Sequence, residues 1–410
     1  MTTMILPSEA LGQRAYPGLS IYESASLLRR YQQIERACMR VSLAWLLEAP
    51  RYEDKYRLGY DLWDHAEHVH WMRARLQELR GGHNEANHDP QLKLVLDEAL
   101  HARNIAELAA GLYLGLKRPL LQAYQTHLQW ADASANAAEA RLLQRIIPEL
   151  ERQIAWAEAV LARPESDRPA AERWQAYLAG LLAAAGGVMG GDAPPASVPE
   201  RPHNHRLLRH NAVKFDDRIR QAPLASYSDR EDLPFEQAVR EQFKVFFNEW
   251  WAAGLMATVL FDAWDANLPW EFFYELSHHC WDEVRHSEFG AIRLRELGGE
   301  PDQVNLTLFE QAVDWPFLHR LVYLTLDMET YFMARKRPRA RRYQAEGEDR
   351  SLIFADADWS DEINHVRYGK RWSDFLLADD MRSVDDIKQE IAALIERQTQ
   401  QPRQAEKSPF

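Results

Sequence analysis

Cysteine is nearly absent from this chain, since only Cys38 and Cys280 occur among its 410 residues. They match neither a zinc-binding spacing nor a disulfide framework, so a reducing, cytoplasmic setting is predicted. The N-terminal residues lack the charged start and long apolar core of a signal peptide. The longest apolar stretch, Leu178 to Met189, is too short and too rich in glycine and alanine to span a bilayer. We therefore expect a soluble protein without a membrane partner.

An excess of basic residues is also lacking, because 49 Lys and Arg face 62 Asp and Glu and the formal net charge is −13. Broad contact with a nucleic-acid backbone needs clustered Lys and Arg, so no nucleic-acid partner is expected. One basic run, from Lys336 to Arg342, stands apart. It is either a solvated helix end or an anchor for an anionic substrate or partner.

Alternation of polar and apolar residues is missing as well, and helical periodicity dominates, which predicts an all-α fold. A first helical block is predicted over residues 21–162. Residues 163–231 are predicted to form a linker with a short helix near 170–185, because glycine and proline recur there. A second helical block follows over 232–378. The tail after Lys407 is expected to fray.

Helix signals are clearest in the second block, where four helices are predicted. Pro269 lies where the second of them begins, because a missing N–H costs little in a first turn. Gly299 follows its end, as glycine commonly does. The third and fourth helices are predicted over about 316–336, ending near Pro338, and 350–377. A long crossover before the third helix would complete a four-helix bundle.

Each of these helices carries a candidate metal ligand near its middle, inside an apolar stripe where a carboxylate is costly unless an ion satisfies it. Glu283 and His286 are three residues apart and so share one helix face. The same spacing separates Glu362 from His365. Gaps of 34 and 33 residues separate a lone Glu from each Glu-x-x-His, as two antiparallel helices would. The predicted metal ligands are Glu249, Glu283, His286, Glu329, Glu362 and His365.

Four carboxylates and two imidazoles at one level of a bundle would repel one another, and two divalent cations would neutralise them. Oxygen and imidazole ligands without a thiolate favour iron or manganese over structural zinc. The predicted cofactor is therefore two iron ions, or manganese, or a mixed Mn/Fe pair.

This pattern resembles the ferritin-like di-metal carboxylate superfamily, in which two helices each supply a Glu and two supply Glu-x-x-His. The resemblance covers residues 232–377, and its Asp-Glu-x-x-His form is the more specific motif. The run 361–372, Asp-Glu-Ile-Asn-His-Val-Arg-Tyr-Gly-Lys-Arg-Trp, is similar to a poorly characterised bacterial branch of ferritin-like proteins.

The resemblance also implies a role for the Asp that precedes each Glu. In di-iron oxygenases and ribonucleotide reductase small subunits, this Asp hydrogen-bonds the His of the opposite motif, which is the usual support for a ligating His. Asp282 is therefore expected to orient His365, and Asp361 to orient His286.

The first block resembles an eroded copy of the second, which predicts tandem ferritin-like four-helix bundles with the first degenerate. Lys117-Arg118-Pro119 aligns with Lys336-Arg337-Pro338. This match places Ala110 opposite Glu329. Glu139 can stand opposite Glu362, but then Leu142 stands opposite His365. The degenerate counterparts of the ligands are Glu35, Glu67, His70 and Glu139.

Such a half-site should bind metal poorly, because Ala66 and Ala138 stand where the second block has its orienting Asp. His65 and His68 flank the first-block motif and could rescue weak binding. The first bundle is therefore expected to be structural, either covering the active bundle or shaping a substrate pocket.

The predicted function is a di-iron oxidoreductase that uses dioxygen or peroxide on a small organic substrate. The substrate would be anionic if the basic run contacts it. An electron-donor protein and a homodimer are further partners that this function allows. Two alternatives stay open: an iron-binding or detoxifying ferritin-like protein, and a non-enzymatic helical scaffold with a structural metal site.

Overall fold

The computed structural model describes residues 17–79, 89–204, 211–223 and 232–400, and almost all of the regular structure there is helical. The prediction of an all-α protein is confirmed. The chain divides into two compact units. Unit 1 comprises residues 1–44 and 60–209, and unit 2 comprises residues 45–59 and 210–410. The tail predicted to fray after Lys407 lies outside the described residues.

Unit 1 contains long helices and one π-helical segment. In chain order the helices are α1 (Ile21–Glu48), α2 (Tyr52–Glu78), α3 (Pro90–Glu98), α4 (Ile105–Leu108), α5 (Arg118–Trp130), α6 (Ala137–Leu161) and α7 (Arg168–Ala184). A short 3-10 turn, Ala99–His101, follows α3, and the π-helical segment π1 (Ala109–Lys117) joins α4 to α5. The last turn of α1 and the first two turns of α2 belong to unit 2. The helix α7 coincides with the one predicted near 170–185.

Unit 2 contains the remaining helices and a second π-helical segment. They are α8 (Phe235–Phe247), α9 (Trp250–Asp262), α10 (Trp270–Glu296), α11 (Thr307–Ala312), α12 (Phe317–Val322), α13 (Glu329–Glu346), α14 (Asp349–Leu376) and α15 (Val384–Gln400). The segment π2 (Tyr323–Met328) joins α12 to α13. Two short strands, β1 (Arg220–Gln221) and β2 (Gln303–Val304), pair in parallel. Among the helices that the structure describes, none combines the length and the apolar character that a membrane span requires.

Residues 45–59 are tied to unit 2 by buried hydrogen bonds, although the sequence analysis placed them in the first block. The buried Lys55 Nζ donates to Leu47 O at 3.1 Å, within this segment. The Tyr56 hydroxyl donates to Ser287 O on α10 at 3.1 Å. Carbonyls in the last turn of a helix lack partners within it, so Lys55 also satisfies the end of α1, whereas Tyr56 contacts the interior of α10.

Two helix boundaries in unit 2 differ from their predicted positions. The first predicted helix is interrupted at Asn248 and Glu249, between α8 and α9. Asn248 is buried, and its Oδ1 accepts a hydrogen bond from Asn305 N at 2.6 Å, a competing contact that short amide side chains often make. The third predicted helix does not end near Pro338, because α13 continues through it to Glu346. Gly347, with φ 70°, ends that helix in the left-handed conformation.

The helices of unit 2 pack around α10, which contacts α8, α9 and α14. α13 packs against α14, and α9 packs against α12. Their shared core includes apolar side chains, among which Phe243, Trp250 and Met256 are completely buried. α15, which the sequence analysis did not predict, packs on α12 through the buried Ile387 and Ile391. The same helices carry the polar side chains described below.

Two glycines allow this close packing. A Cβ at Gly290 would lie 2.6 Å from Phe247 Cα and 2.7 Å from Phe243 O, so α10 and α8 touch backbone to backbone. A Cβ at Gly369 on α14 would collide with the Cβ and Oγ1 of Thr325 in π2. Gly290 lies seven residues after Glu283, and Gly369 lies four residues after His365. Both close approaches therefore fix the spacing of helices that carry candidate ligands.

Replacing either glycine should destabilise unit 2, although alanine is the better helix former by about 1 kcal/mol. We expect Gly290→Ala and Gly369→Ala each to lower stability by about 1–3 kcal/mol, because the added methyl group overpacks a helix contact. Calorimetry would show a Tm lower by about 2–4 °C per kcal/mol. Gly299→Ala is the control, since its Cβ would meet nothing closer than Leu294 O at 3.4 Å. A higher Tm for the Gly290 and Gly369 variants would contradict the close approach.

Candidate metal centre

Glu283 is the carboxylate on which the polar groups of unit 2 converge. It lies on α10 and is 1% exposed. Its Oε1 is 3.0 Å from His279 Nε2 and 3.2 Å from His365 Nδ1, and its Oε2 is 3.4 Å from His286 Nδ1. Burial opposes its charge, but the hydrogen bond from His279 and the nearby imidazoles of His286 and His365 hold the pKa of Glu283 well below its usual value. One buried carboxylate thus joins three histidines.

The first group that could hold a metal ion consists of His279, Glu283, Glu329 and His365, whose candidate ligand atoms all lie within 4.8 Å of one another. Glu329 Oε1 is 3.6 Å from His279 Nε2 and 3.9 Å from His365 Nδ1. The rings of His279 and His365 stack with centroids 3.6 Å apart. Burial and the neighbouring charge of His365 lower the pKa of His279 to about 4, so its imidazole is neutral, the form that binds metal.

The second group consists of Glu283, His286 and Glu362, so it shares Glu283 with the first. His286 Nδ1 is 4.0 Å from Glu362 Oε1 and 3.6 Å from Asp358 Oδ1. Glu362 Oε2 is 3.5 Å from His365 Nδ1. The two groups therefore lie side by side, with Glu283 placed where a carboxylate can serve both.

The two Asp residues that precede the Glu-x-x-His glutamates hold the outer nitrogens of the histidines. His365 Nε2 lies 3.3 Å from Asp282 Oδ2, and His286 Nε2 lies 3.1 Å from Asp361 Oδ2. This is the crossed pairing that the resemblance implies. Arg285 Nη1 donates to both aspartates, which braces the pair. Each imidazole is thereby turned so that its Nδ1 points at the carboxylates.

Buried polar atoms without hydrogen bonds show that these residues fit a metal ion. Within the described part of the chain, no hydrogen-bond partner is present for the Nδ1 of His286, the Nδ1 of His365 or the Oε2 of Glu362. Buried polar groups are rarely left in this state. All three atoms face the two groups, and all are of types that coordinate metals. The buried His and Glu groups of unit 2 can thus hold a metal ion.

Glu249 and Glu329 show how much negative charge the site contains. Burial and the charge of Glu283 raise the pKa of Glu249 well above its ordinary value. Burial and the charge of Glu362 do the same to the pKa of Glu329. Glu249 lies at the break between α8 and α9 and belongs to neither ligand group, but it lines a pocket beside them. Both carboxylates are therefore pushed toward the protonated form unless a cation joins them.

Lys336 lies inside the site, which rules out for this residue one of the two interpretations of the basic run, the solvated helix end. It is 6% exposed because α13 continues past Pro338 and turns this residue toward α14. Its Nζ donates to Asp358 Oδ1 at 2.6 Å, to Asp358 Oδ2 at 2.7 Å and to Glu362 Oε1 at 2.9 Å. Its neighbours Arg337 and Arg341 are exposed, as the prediction of a solvated run required.

The pocket beside the two groups combines charged and apolar walls. Its polar lining includes Glu249, Glu329 and Lys336, and its apolar lining includes Phe246, Trp251 and Phe332. Seven of its eleven lining residues are polar or charged, so this pocket is more polar than the mostly apolar pockets that small molecules commonly occupy.

Sequence reasoning missed three members of the site: His279, Lys336 and Asp358. A signal for each was present as helical spacing from a predicted ligand. His279 and Asp358 each precede a predicted glutamate by four residues, and Lys336 follows Glu329 by seven. Spacing of three, four or seven residues places side chains on one helix face.

Unit 1 contains a smaller buried group formed by Glu35, His65 and His68. Glu35 Oε2 contacts His65 Nδ1, and it lies 3.2 Å from His68 Nδ1. The Tyr124 hydroxyl donates to Glu35 Oε1 at 2.7 Å, and Glu149 Oε2 lies 2.6 Å from His68 Nε2. Despite burial, the charges of Glu35 and Glu149 raise the pKa of His68 to about 9, so this imidazole is charged between two carboxylates.

Of the predicted first-block counterparts, only Glu35 lies in this group. Glu67 and His70 are half-buried, and Glu67 is 4.0 Å from Arg145 Nη2. Glu139 is buried but pairs with Arg75 Nη2 at 3.2 Å. The difference has a simple geometric cause. Residues 67 and 70 follow 65 and 68 by two positions, which is about 200° around a helix.

Comparisons of the chain with models of protein families, with curated proteins and with solved structures find no match. The side chains of the site are therefore the basis for inferring a function.

Removing the aspartates that hold the histidines should weaken metal binding. We expect Asp282→Ala and Asp361→Ala each to lower the affinity for a divalent metal by roughly 10–100-fold, the usual effect of losing such a support. Without the carboxylate, the imidazole can rotate and its Nδ1 no longer faces the group. Chelator competition measures the affinity, and Asp356→Ala, an exposed acid on α14, is the control. Equal affinity in wild type and both variants would show that these aspartates do not position the histidines.

Proposed function

We propose that unit 2 binds two metal ions and works as a di-iron oxidoreductase that uses dioxygen or peroxide on a small organic substrate. The observation that carries this proposal is that two buried ligand groups share Glu283. A carboxylate shared between two adjacent cation positions is the arrangement that a two-metal site needs. The excess of carboxylates around it favours divalent cations as the neutralising partner.

His279, Glu283, Glu329 and His365 would hold one ion, and Glu283, His286 and Glu362 would hold the other, with Glu249 close by. These carboxylate and imidazole ligands suit iron or manganese, including a mixed pair. Two such ions, when bound, supply the redox chemistry that reduces dioxygen or peroxide by two electrons.

The protein contributes positioning and exclusion of water. Asp282 and Asp361 keep the two imidazoles turned inward, and Arg285 holds both aspartates in place. Phe246, Trp251 and Phe332 form the apolar part of the pocket wall and limit water there, and Arg339 lines the same pocket as a cation that an anionic substrate would contact. The pocket also favours catalysis over a structural metal, because structural sites are usually closed by protein ligands.

A ferritin-like architecture is part of the same proposal. Its support is the order of the ligands along the chain: a Glu, a Glu-x-x-His on α10, a second Glu at the start of α13, and a second Glu-x-x-His on α14. This is the order described for ferritin-like di-metal proteins. The π-helical segment directly before Glu329 also supports a functional site, because π-bulges are frequent there.

A tandem, degenerate first bundle is supported by matching features of the two units. Each has a π-helical segment and a buried lysine: Lys117 is the last residue of π1, and Lys336 lies eight residues after the end of π2. Lys117 Nζ donates to Gln153 Oε1 at 3.1 Å, and Lys336 Nζ donates to Glu362 Oε1. The lysine of unit 1 thus contacts an amide, whereas the lysine of unit 2 contacts a carboxylate that is a proposed metal ligand.

Anaerobic loading with Fe(II) followed by exposure to oxygen tests this function. We expect about two iron ions per chain and oxygen uptake that depends on them. Glu283→Gln should lose both ions, since it removes the shared ligand. Glu271→Gln, an exposed change on the same helix, is the control, and Glu35→Gln in unit 1 should leave the iron content unchanged.

The other outcomes separate the alternatives. Iron bound without oxygen uptake would point to a structural metal. Uptake that stops after the bound iron is oxidised, and that no added reductant or substrate renews, would point to iron binding or detoxification. Failure to bind iron or manganese would contradict the proposal.

A further inference from the structure

Lys336 is a buried cation placed directly on a proposed metal ligand. An ammonium group has three N–H donors. All three are used on carboxylate oxygens, two on Asp358 and one on Glu362 Oε1, at 2.6–2.9 Å. Asp358 and Glu362 are 1% and 2% exposed, so little solvent surrounds these contacts. The side chain is therefore held firmly against the second ligand group.

The two ligand groups differ in this respect. In the first group, Glu283 Oε1 and Glu329 Oε1 face imidazole nitrogens of His279 and His365. In the second, Glu362 Oε1 accepts a hydrogen bond from Lys336. Its Oε2 faces His365 and makes no hydrogen bond with the described residues. A divalent ion bound by Glu283, His286 and Glu362 would lie close to the positive charge of the lysine that already contacts the Glu362 carboxylate. Like charges in a buried site repel strongly because little solvent screens them.

We propose that the two metal positions are unequal, with the group around His279 filling first and Lys336 competing with the second ion for Glu362. This inference rests on the proposed two-metal site. Asp358 would hold the displaced ammonium group, because Asp358 already accepts two of the three hydrogen bonds that this group donates. The second position then fills when Lys336 gives up Glu362 and keeps Asp358. Lys336 is a positioning residue that sets metal occupancy.

Titration of the metal-free protein with Mn(II) tests this directly, since Mn(II) needs no oxidation and its paramagnetic resonance distinguishes isolated ions from coupled pairs. Wild type should show isolated Mn(II) at the first equivalent and coupled pairs only at higher concentration. Lys336→Met should raise the second affinity by about tenfold or more, the scale of effects from residues next to metal ligands. Coupled pairs should then form near the first equivalent. Arg337→Met, an exposed cation on the same helix, should change nothing.

A double-mutant cycle covers the case in which Lys336→Met leaves Asp358 buried without its partner and destabilises the fold. The paired variant Lys336→Met with Asp358→Asn removes both charges together. If Asp358 acts by holding Lys336, Asp358→Asn should weaken the second ion in the wild-type background and have little effect beside Lys336→Met.

The outcomes distinguish this inference from the function on which it rests. Two ions bound with the same pair of affinities in wild type, Lys336→Met and the paired variant would overturn the role of Lys336 alone. Equal, simultaneous filling of both positions in wild type would do the same. No Mn(II) or Fe(II) binding at all would overturn both the two-metal site and this inference.

Discussion

Buried negative charge is the constraint on which the structure of unit 2 depends. Asp282, Glu283, Asp358 and Glu362 are each 2% exposed or less, and Glu329 is 5% exposed. Carboxylates in such surroundings are stable only when cations or protons accompany them. Burial would lower the pKa of His286, but its hydrogen bond to Asp361 and the nearby acids, above all Glu283, raise it to about 10. Even so, Glu249 and Glu329 remain with strongly raised pKa values. The close contacts at Gly290 and Gly369 hold the helices together against this repulsion.

Unit 1 also buries carboxylates, and cationic side chains of the same unit pair with them. His68 lies between Glu35 and Glu149 and carries the charge that those carboxylates require. Lys117 Nζ lies 3.7 Å from Asp61 Oδ2 in the same core. The carboxylates of unit 1 are thus largely balanced by a protonated imidazole and an ammonium. Those of unit 2 outnumber their cationic partners, which is the physical reason for proposing metal ions in unit 2.

Much of this could be predicted from the sequence, because helical spacing alone places Glu283 with His286 and Glu362 with His365. The parts of the site that were not predicted from the sequence depend on where helices bend and end. Pro338 suggested a helix end, which left a solvated end as one interpretation of the run that contains Lys336, whereas Gly347 ends that helix and the lysine is buried. His279 and Asp358 each lie four residues before a predicted ligand, a signal that was not used, and the packing of the helices brings them into the site. In unit 1, matching by residue type selected Glu67 and His70, while the fold turns His65 and His68 inward.

The most direct test of this account is a crystal structure of the iron-loaded protein with anomalous scattering measured at the iron absorption edge. The account predicts two adjacent peaks in unit 2 on either side of Glu283, the stronger beside His279 and His365, and no peak beside Glu35. Lys336 Nζ should contact Asp358 and no longer contact Glu362 wherever the second peak is occupied. Iron bound only in unit 1, or an iron-soaked crystal in which Glu283 contacts no metal, would contradict it.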